Sequence, residues 1–406
     1  MSKNLDLTQA QISYLLSPKA IRERAAKVME LTDSGRGHFV YHPEKLNETV
    51  DFVLAVIREN YPDLKIPFHS RWGHFRAGGI DRAAQFAADL ASVDPIERVR
   101  AQLDLVITSV LLDAGAGAQW SYVEETTGKK FVRSEGLGVA SYYMFISGVM
   151  GGDRKSLRAD SVGLKAITEA DVNKYFQVSD SNPLVGVAGR VQLLNNLGRA
   201  VENSKIFRDG RPGNIVDYLI QQHGKKIPAV AVLQAVLEGF GVIWPGRLSA
   251  GGVNLGDVWL HSQLGSGFDA LVPIHKLSQW MTYSLIEPML DAGLEITGVE
   301  QLTGLAEYRN GGLLLDLGLL SFRNKEEASK SWEASSDLII EWRALTVHLL
   351  DAIGARVQTA LGKSAAEFPL AKVLEGGTWW AGRKIAAQKR AGGVPPLNIV
   401  SDGTVF

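Results

Sequence analysis

Two histidines, two arginines, a serine and a tryptophan fall within nine residues at positions 68–76, which read FHSRWGHFR. Guanidinium and imidazole groups are suited to binding a phosphate or a carboxylate, and an indole offers a flat wall for a sugar or a base. The pattern therefore makes Arg71, Trp72 and His74 candidates for contact with a substrate. The alternative is an exposed turn whose aromatic residues anchor it to the core.

A second basic segment, IHKLSQW at positions 274–280, lies where a helix is predicted to begin. Residues four apart share a helix face, so His275 points with Gln279, and Lys276 points with Trp280. Free amides and the helix dipole would add to an anion-binding site at such a helix start. Alternatively, this is an amphipathic helix whose Lys276 is merely solvated.

Glu307 lies in the segment LTGLAEYRNGG at positions 302–312, which is followed by the apolar run LLLDLGLL. Tyr308 and Arg309 come directly after it, and paired glycines follow. A charged group that is buried needs a partner. Glu307 is therefore either salt-bridged to Arg309 or to a neighbouring base, or it is a working carboxylate kept from bulk water, and the residues favour neither interpretation.

Asp257, Trp259 and His261 fall within five residues of one another beside a glycine-rich stretch. They either line a pocket or pack a loop. The chain has no HExxH, P-loop or GxSxG motif, and no spacing of histidines and carboxylates indicates a metal site. We therefore predict neither a metal nor a cofactor.

The composition narrows the class of partner. The formal net charge is −1, so the protein has no overall positive charge that would attract nucleic acid or an anionic membrane. The absence of cysteine excludes disulfides, thiolate catalysis and zinc sites that need sulfur. The N-terminal segment is too polar for a signal peptide, and no run approaches the roughly 18 apolar residues of a membrane span. We expect a cytoplasmic protein that acts on a small molecule.

The elements that would position these residues are mostly helices. Capping residues, first-turn prolines and apolar residues at periods of three and four predict them. Predicted starts and spans are Ser17-Pro18, Pro43, Asp94-Pro95, Thr168 with Asp171, Asn182-Pro183 running to about Phe207, Thr297 with Glu300, Asp337 to Leu361, and Ser364 with Glu367.

Strand patterns are sparse by comparison. Residues 39–41 and 130–132 are short candidates, and residues 398–406 predict a hairpin around Asp402-Gly403. The sequence therefore predicts a mainly α fold, a large helical body with a few short β elements. Its 406 residues form one catalytic unit, 1–406, or two intimately packed helical subdomains.

Four blocks, in this order, resemble the family of uracil catabolism protein 4, which occurs in fungi and bacteria. They are GHFVYHPEKL (37–46), FHSRWGHFRAGGIDR (68–82), SNPLVGVAGR (181–190) and LTGLAEYRNGGLLLDLG (302–318), of which the last is the most specific. The resemblance covers essentially the whole chain. It implies a place in a pathway that degrades uracil through a ribosylated form to urea.

A more distant similarity bears on the chemistry. Queuosine salvage proteins, which hydrolyse the N-glycosidic bond of a modified nucleotide, carry a lysine-arginine-alanine-glutamine stretch and, further on, an alanine-aspartate-tyrosine-arginine motif. Here Lys276 and Gln279 precede Ala306-Glu307-Tyr308-Arg309 by about thirty residues, with glutamate in place of aspartate and Leu277-Ser278 between the lysine and the glutamine. The similarity implies a helical core like that of DNA glycosylases.

The resemblances together imply an N-ribosyl hydrolase that cleaves ribosylurea, or its 5′-phosphate, into urea and ribose or ribose phosphate. Glu307 would stabilise the positive charge that builds on the anomeric carbon. Tyr308, His74 or Asp257 would assist the departing urea. The implied substrate contacts are Arg71, His275 and Lys276 for the phosphate, Trp72 or Trp259 for a wall of the pocket, and Gln279 and Arg309 nearby.

Two other classes of function remain compatible with the same residues. One is a non-catalytic nucleotide-binding or scaffold protein that organises the enzymes of the pathway. The other is an enzyme that opens or deaminates the pyrimidine ring. The three differ in their products, since only the hydrolase releases urea and ribose from ribosylurea.

Overall fold

The computed structural model describes residues 3–113, 115–117, 119–202, 204–244 and 247–400. Helices predominate and the strands are two or three residues long, which confirms the predicted mainly α fold. The α-helices are α1 (Gln9–Leu15), α2 (Pro18–Asp33), α3 (Leu46–Asn60), α4 (Arg71–Phe75), α5 (Arg82–Asp89), α6 (Pro95–Leu111), α7 (Arg133–Ile146), α8 (Ser161–Lys165), α9 (Glu169–Tyr175), α10 (Val187–Glu202), α11 (Ile215–His223), α12 (Ala229–Phe240), α13 (Lys276–Asp291), α14 (Tyr308–Asp316), α15 (Asp337–Leu361), α16 (Leu370–Val373) and α17 (Trp379–Lys389).

The strands form small, separate sheets. They are β1 (Lys3–Leu5), β2 (Phe39–Tyr41), β3 (Ser121–Val123), β4 (Lys130–Val132), β5 (Lys226–Pro228), β6 (Leu248–Ala250), β7 (Val253–Asn254), β8 (Val258–Leu260), β9 (Leu271–Pro273), β10 (Glu295–Thr297), β11 (Leu320–Phe322), β12 (Ser331–Glu333) and β13 (Asn398–Val400). One sheet has the order β1-β6-β7, and the others are pairs. In the antiparallel pair of β8 and β9, Trp259 lies opposite Val272.

The chain divides into two compact units. The first consists of Met1–His69, Gly246–Gln279 and Gly298–Phe406, and the second of Ser70–Pro245 and Trp280–Thr297. The division falls within α13, after Gln279. Within the described residues, no helix combines the length and the apolar character needed to cross a bilayer.

The core of the first unit is built around the long helix α15. Its residues Leu338, Trp342, Leu345, Leu349 and Ile353 are buried, as their spacing predicts. They belong to one apolar cluster with residues of α2, α3, α14 and α17. Burial of this continuous stripe stabilises the helices that carry the candidate residues of this unit.

A buried carboxylate joins β2 to α15 in the same unit. Glu341 accepts hydrogen bonds from the backbone N–H groups of His38, at 2.8 Å, and Phe39, at 3.1 Å. A Cβ atom at Gly37 would overlap the carboxylate of Glu341, so only glycine permits this approach. Burial raises the pKa of Glu341, while the backbone donors act against that rise. The first three residues of the block GHFVYHPEKL are thus accounted for by packing against Glu341.

Most of the predicted helix starts are confirmed. Ser17 caps α2 by accepting the N–H of Ala20, and Asp94 caps α6 by accepting that of Ile96. Thr168 forms a capping box at α9, and α15 has the predicted bounds. At Ser17, Asp94 and Thr168, a local side-chain hydrogen bond thus marks the beginning of the helix.

Three predicted starts are wrong or incomplete. Asn182 does not open a helix, because its side chain binds the backbone of Ser121 and Gln177, and α10 begins only at Val187. Thr297 lies in β10 instead of capping a helix.

The third case involves a capping box without a helix. The side chains of Ser364 and Glu367 form the predicted hydrogen bonds, but they close a turn. At the C-terminal end, β13 pairs in parallel with β12, and the predicted turn at Asp402-Gly403 lies outside the described residues.

Candidate functional site

Asp257 lies at the end of the hairpin formed by β8 and β9, in the first unit. Its carboxylate accepts hydrogen bonds from both terminal nitrogens of Arg343, each at 2.8 Å, and from the indole N–H of Trp259 at 2.6 Å. The backbone N–H of Lys276 donates to the same carboxylate at 2.9 Å. Asp257 therefore fixes the start of α13 against α15.

The charge state of Asp257 follows from these contacts. Burial acts to raise the pKa of Asp257, but the charge and hydrogen bonds of Arg343 outweigh it and hold the pKa below its ordinary value. An ionised carboxylate accepts hydrogen bonds and has no proton to donate. Its geometry is that of a positioning residue.

His275 occupies a left-handed backbone conformation, with φ of 50°, directly before α13. This conformation is uncommon outside glycine and costs roughly 1–3 kcal/mol. The side chain is buried, and its Nε2 lies 2.9 Å from the carbonyl oxygen of Leu15. Burial lowers the pKa of His275, so the neutral ring donates this hydrogen bond and holds the helix start.

Lys276 and Gln279 occupy the first turn of α13. Lys276 is 9% exposed and Gln279 is fully buried. Within the described part of the chain, neither Oε1 nor Nε2 of Gln279 has a hydrogen-bond partner. A buried polar group without a partner costs about 1–3 kcal/mol. The amide of Gln279 is therefore suited to hydrogen bonding with a bound molecule.

Glu307 is the N-cap of α14. Its Oε2 accepts the backbone N–H of Arg309 at 3.0 Å, and its Oε1 accepts that of Asn310 at 2.7 Å. The glutamate is 6% exposed. The side chain of Arg309 turns instead to the carbonyl oxygen of Gly393, at 2.7 Å, and lies over the ring of Tyr308. The salt bridge between Glu307 and Arg309 that the sequence allows therefore does not form.

Two residues that contact candidate side chains were not predicted from the sequence: Asn310, which contacts Glu307, and Arg343, which contacts Asp257. Asn310 is fully buried, and its Oδ1 has no hydrogen-bond partner among the described residues. Arg343 is an arginine within the apolar stretch of α15, and this is the pattern that could have indicated a buried ion pair. Both residues stand next to predicted ones, Glu307 and Asp257.

Trp259 borders a cavity of about 380 Å³ within the first unit. The cavity is lined by Arg247, Leu248, Val258, Trp259, Leu260, Glu333, Ala334, Ser335 and Val400. The guanidinium of Arg247 lies 4.8 Å from the centre of the Trp259 ring. Because the indole N–H binds Asp257, the orientation of this wall is set by the same carboxylate that fixes α13.

Arg71, Trp72 and His74 lie in the second unit, on α4. Arg71 is fully buried and donates to Asp113 and to Ser109, each at 2.7 Å. Burial lowers the pKa of Arg71, and Asp113 acts against that shift. The indole of Trp72 donates to the carbonyl oxygen of a helical serine at 2.9 Å, and His74 lies edge-on to a neighbouring indole. Their proposed roles toward a substrate stay predictions.

The start of α14 is held in place by a close approach to α17. A Cβ atom at Gly382 would overlap the carbonyl oxygen of Arg309, so the two helices touch through their backbones. We expect Gly382→Ala to lower the free energy of unfolding by roughly 1–3 kcal/mol, because the helices must separate. Gly189→Ala is the matched control, since a Cβ atom there meets nothing within 4 Å on α10.

Chemical denaturation of both variants measures this difference. The control is expected to be neutral or slightly stabilising, since alanine favours a helix over glycine. Equal stability of the two variants would contradict the close contact between α14 and α17.

Comparison with known proteins gives the family. Residues 14–406 match the model of a family described as "Protein of unknown function (DUF1688)". The chain is 38% identical over 438 residues to uracil catabolism protein 4 of Lachancea kluyveri, covering 97% of this chain and 99% of that protein. It is 39% identical over 407 residues to protein urg3 of Schizosaccharomyces pombe, again covering 97% and 99%. These matches confirm the resemblance predicted from the four sequence blocks, and the chain belongs to the DUF1688 family.

Proposed function

We propose that this protein is an N-ribosyl hydrolase of uracil catabolism, which cleaves the C–N glycosidic bond of ribosylurea or its 5′-phosphate. The products are urea and ribose or ribose phosphate. Uracil catabolism protein 4 is similar to this protein over almost the whole chain, and its name supports a role in that pathway. The distant similarity at Lys276, Gln279 and residues 306–309 supports the reaction type.

The observation that carries the proposal is the unsatisfied amide of Gln279. A carboxamide offers one acceptor oxygen and one NH₂ donor in a plane. A ureido group presents the complementary N–H and C=O, so the two can form a pair of parallel hydrogen bonds. Such a pair satisfies both buried atoms of Gln279, which the described protein residues leave without partners.

Glu307 supplies the charge that the reaction needs. Breaking a glycosidic bond builds positive charge on the anomeric carbon and on the ring oxygen, and a fixed carboxylate stabilises it. Each oxygen of Glu307 is held by one backbone N–H, which leaves a further lone pair on each for water or substrate. The carboxylate therefore needs no reorganisation as the charge develops.

The other candidate residues have roles that suit the chemistry of their side chains. Lys276 would bind the phosphate of a phosphorylated substrate, and Trp259 would form a wall of the substrate pocket. Tyr308, directly after Glu307, would donate a hydrogen bond. Asp257 keeps a positioning role, because Arg343 and the backbone of Lys276 hold its carboxylate.

The identity of the products tests the proposal against its two alternatives. Purified protein is incubated with ribosylurea, its 5′-phosphate and uridine monophosphate, and products are separated by chromatography. Release of urea with ribose or ribose phosphate is the expected result. Ammonia or a ring-opened product would indicate the ring-opening or deaminating enzyme instead. Binding without any product would indicate the scaffold.

Replacing Gln279 by leucine is expected to separate recognition from stability. Loss of two hydrogen bonds of about 1 kcal/mol each lowers kcat/KM for ribosylurea by roughly 30-fold. The melting temperature is expected to stay the same or rise, because an unsatisfied buried amide is replaced by an apolar group of similar size. Steady-state kinetics and thermal unfolding measure the two effects.

The matched control is Gln192→Leu, at an exposed position of α10. It is expected to leave kcat/KM unchanged. An unchanged kcat/KM in Gln279→Leu as well would contradict the role of this amide in recognition.

A further inference from the structure

A histidine–carboxylate pair lies in the first unit, outside the residues assigned above. The Nδ1 of His69 is 2.7 Å from Oε2 of Glu375, and both side chains are largely buried. An ionised carboxylate only accepts hydrogen bonds, so Nδ1 carries the hydrogen and Nε2 is the nitrogen that can exchange a proton. Within the described residues, Nε2 of His69 has no hydrogen-bond partner.

Glu375 is itself held in place. The hydroxyl of Tyr61 donates to its Oε1 at 3.4 Å, and burial together with Glu375 raises the pKa of Tyr61 to about 12. The tyrosine therefore keeps its proton across the physiological range. The backbone N–H of His69 donates to the carbonyl oxygen of Ala371 at 2.9 Å. Both ends of the pair are thus fixed before any ligand binds.

The backbone around Glu375 is unusual. Residues Leu374–Thr378 form a π-helix between α16 and α17, a rare element that often occurs at functional sites. Cβ atoms at Gly376 and Gly377 would overlap side chains of the neighbouring segment and of α3. The paired glycines therefore let the π-helix approach closely and bring Glu375 to His69.

The same segment leads to the helix that Glu307 caps. The ring of His69 lies against Trp379, with ring centres 5.6 Å apart, at the first residue of α17. Gly382 follows three residues later, on the same face of the helix, and touches the backbone of Arg309. Trp379 and Gly382 thus connect the histidine pair to the start of α14.

Among the described residues, the other buried histidines of this unit, His275 and His261, are not hydrogen-bonded to a carboxylate. His275 uses its Nε2 toward the carbonyl oxygen of Leu15, and burial lowers its pKa. Nε2 of His261 has no hydrogen-bond partner among the described residues and lies 4.0 Å from Oε2 of Glu341, so no carboxylate orients this ring through a hydrogen bond; burial lowers the pKa of His261 as well. The carboxylate of Glu375 is hydrogen-bonded to His69, and the guanidinium of Arg383 lies 5.0 Å from the centre of the Trp379 ring that His69 contacts.

We infer that His69, oriented by Glu375, is the proton donor to the leaving nitrogen in the proposed hydrolysis. This inference rests on the proposed function. As the C1′–N bond breaks, its electron pair passes to the urea nitrogen, which takes the proton from Nε2. Water then adds its oxygen to C1′, and its released proton restores the protonated ring of His69.

Two substrates with different leaving groups test the inference. Urea needs a proton as it departs, whereas the phenolate of 4-nitrophenyl riboside leaves without one at neutral pH. His69→Asn is expected to slow ribosylurea hydrolysis by about 10²-fold or more, and to change hydrolysis of the nitrophenyl riboside only severalfold. Glu375→Gln is expected to show the same selectivity with a smaller loss, and Glu307→Gln is expected to slow both substrates.

His38→Asn is the matched control, because His38 also pairs with a glutamate, Glu327, at 3.0 Å. It is expected to change neither rate. If His69→Asn and Glu375→Gln each slow the two substrates equally, or if neither variant slows ribosylurea hydrolysis, the role of His69 is overturned while the proposed function stands. Failure of the wild-type protein to hydrolyse either substrate overturns the proposed function, and the inference with it. Thermal unfolding of each variant establishes that it is folded.

Discussion

Replacing Glu307 by glutamine is expected to lower the rate of ribosylurea hydrolysis by about 10²–10³-fold, the usual effect of one preorganised electrostatic contact. The amide retains one oxygen but loses the negative charge that stabilises the developing cation. Its NH₂ group also faces a backbone N–H of Arg309 or Asn310, which costs about 1–3 kcal/mol of stability. Steady-state kinetics and chemical denaturation measure the two losses separately.

Asp94→Asn is a suitable control for the capping contribution. Asp94 caps α6 by accepting the N–H of Ile96 at 3.0 Å, at an exposed position. Asparagine caps a helix about as well as aspartate, so stability and turnover are expected to change little. Turnover of Glu307→Gln within severalfold of the wild type would remove Glu307 from the catalytic role.

Replacing Arg343 by methionine is expected to cost about 3–5 kcal/mol in the free energy of unfolding. Arg343 is almost completely buried and forms two hydrogen bonds with Asp257 at 2.8 Å. Its removal leaves a largely buried carboxylate without its counter-charge. The same change loosens the start of α13, where the backbone of Lys276 binds Asp257, so kcat/KM is expected to fall as well.

The pH dependence of this loss identifies its origin. The pKa of Asp257 is lower in the folded protein than in the unfolded chain. The stabilisation by Arg343 is therefore present above the unfolded pKa of about 4 and is lost as the pH falls through the folded pKa. Without Arg343, burial raises the pKa of Asp257 in the variant, so the difference between wild type and Arg343→Met is expected to start shrinking above about pH 4 and to shrink further as the pH falls below it.

Lys384→Met is the matched control for a solvent-exposed ion pair, since Lys384 and its partner Glu59 are 40% and 60% exposed. It is expected to cost less than about 1 kcal/mol. A similar cost for the two variants, or a cost for Arg343→Met that does not depend on pH, would contradict the buried pair.

Helix starts could be predicted from the sequence at Ser17 and Asp94, where the capping contact is local, although the equally local contacts of Ser364 and Glu367 close a turn instead. Ser17 and Asp94 each bind an N–H two or three residues ahead, and nothing distant competes for them. Asn182 looks equally local in the sequence, but its amide binds Ser121, which lies 61 residues away. Such competition between a local cap and a distant backbone group cannot be inferred from spacing alone.

The candidate site likewise combines features that the local sequence indicates with features that depend on distant contacts. The segment around Glu307 suggested a carboxylate that is largely buried, and the structure places it so, at 6% exposure. Its capping role was missed because glutamate is not among the residues favoured at an N-cap. The partner of Asp257 lies 86 residues away on α15, and the unsatisfied amide of Gln279 depends on everything around it. Both facts arise only from tertiary packing.

The position of an oxygen atom taken from water tests the central claim most directly. Ribosylurea is hydrolysed in water enriched in oxygen-18, and both products are analysed by mass spectrometry immediately after mixing and over time. Cleavage of the C1′–N bond is expected to place the label on the anomeric carbon of ribose and none in urea. Label in the carbonyl carbon of the nitrogen-containing product, with the bond to ribose intact, would contradict the N-ribosyl hydrolase.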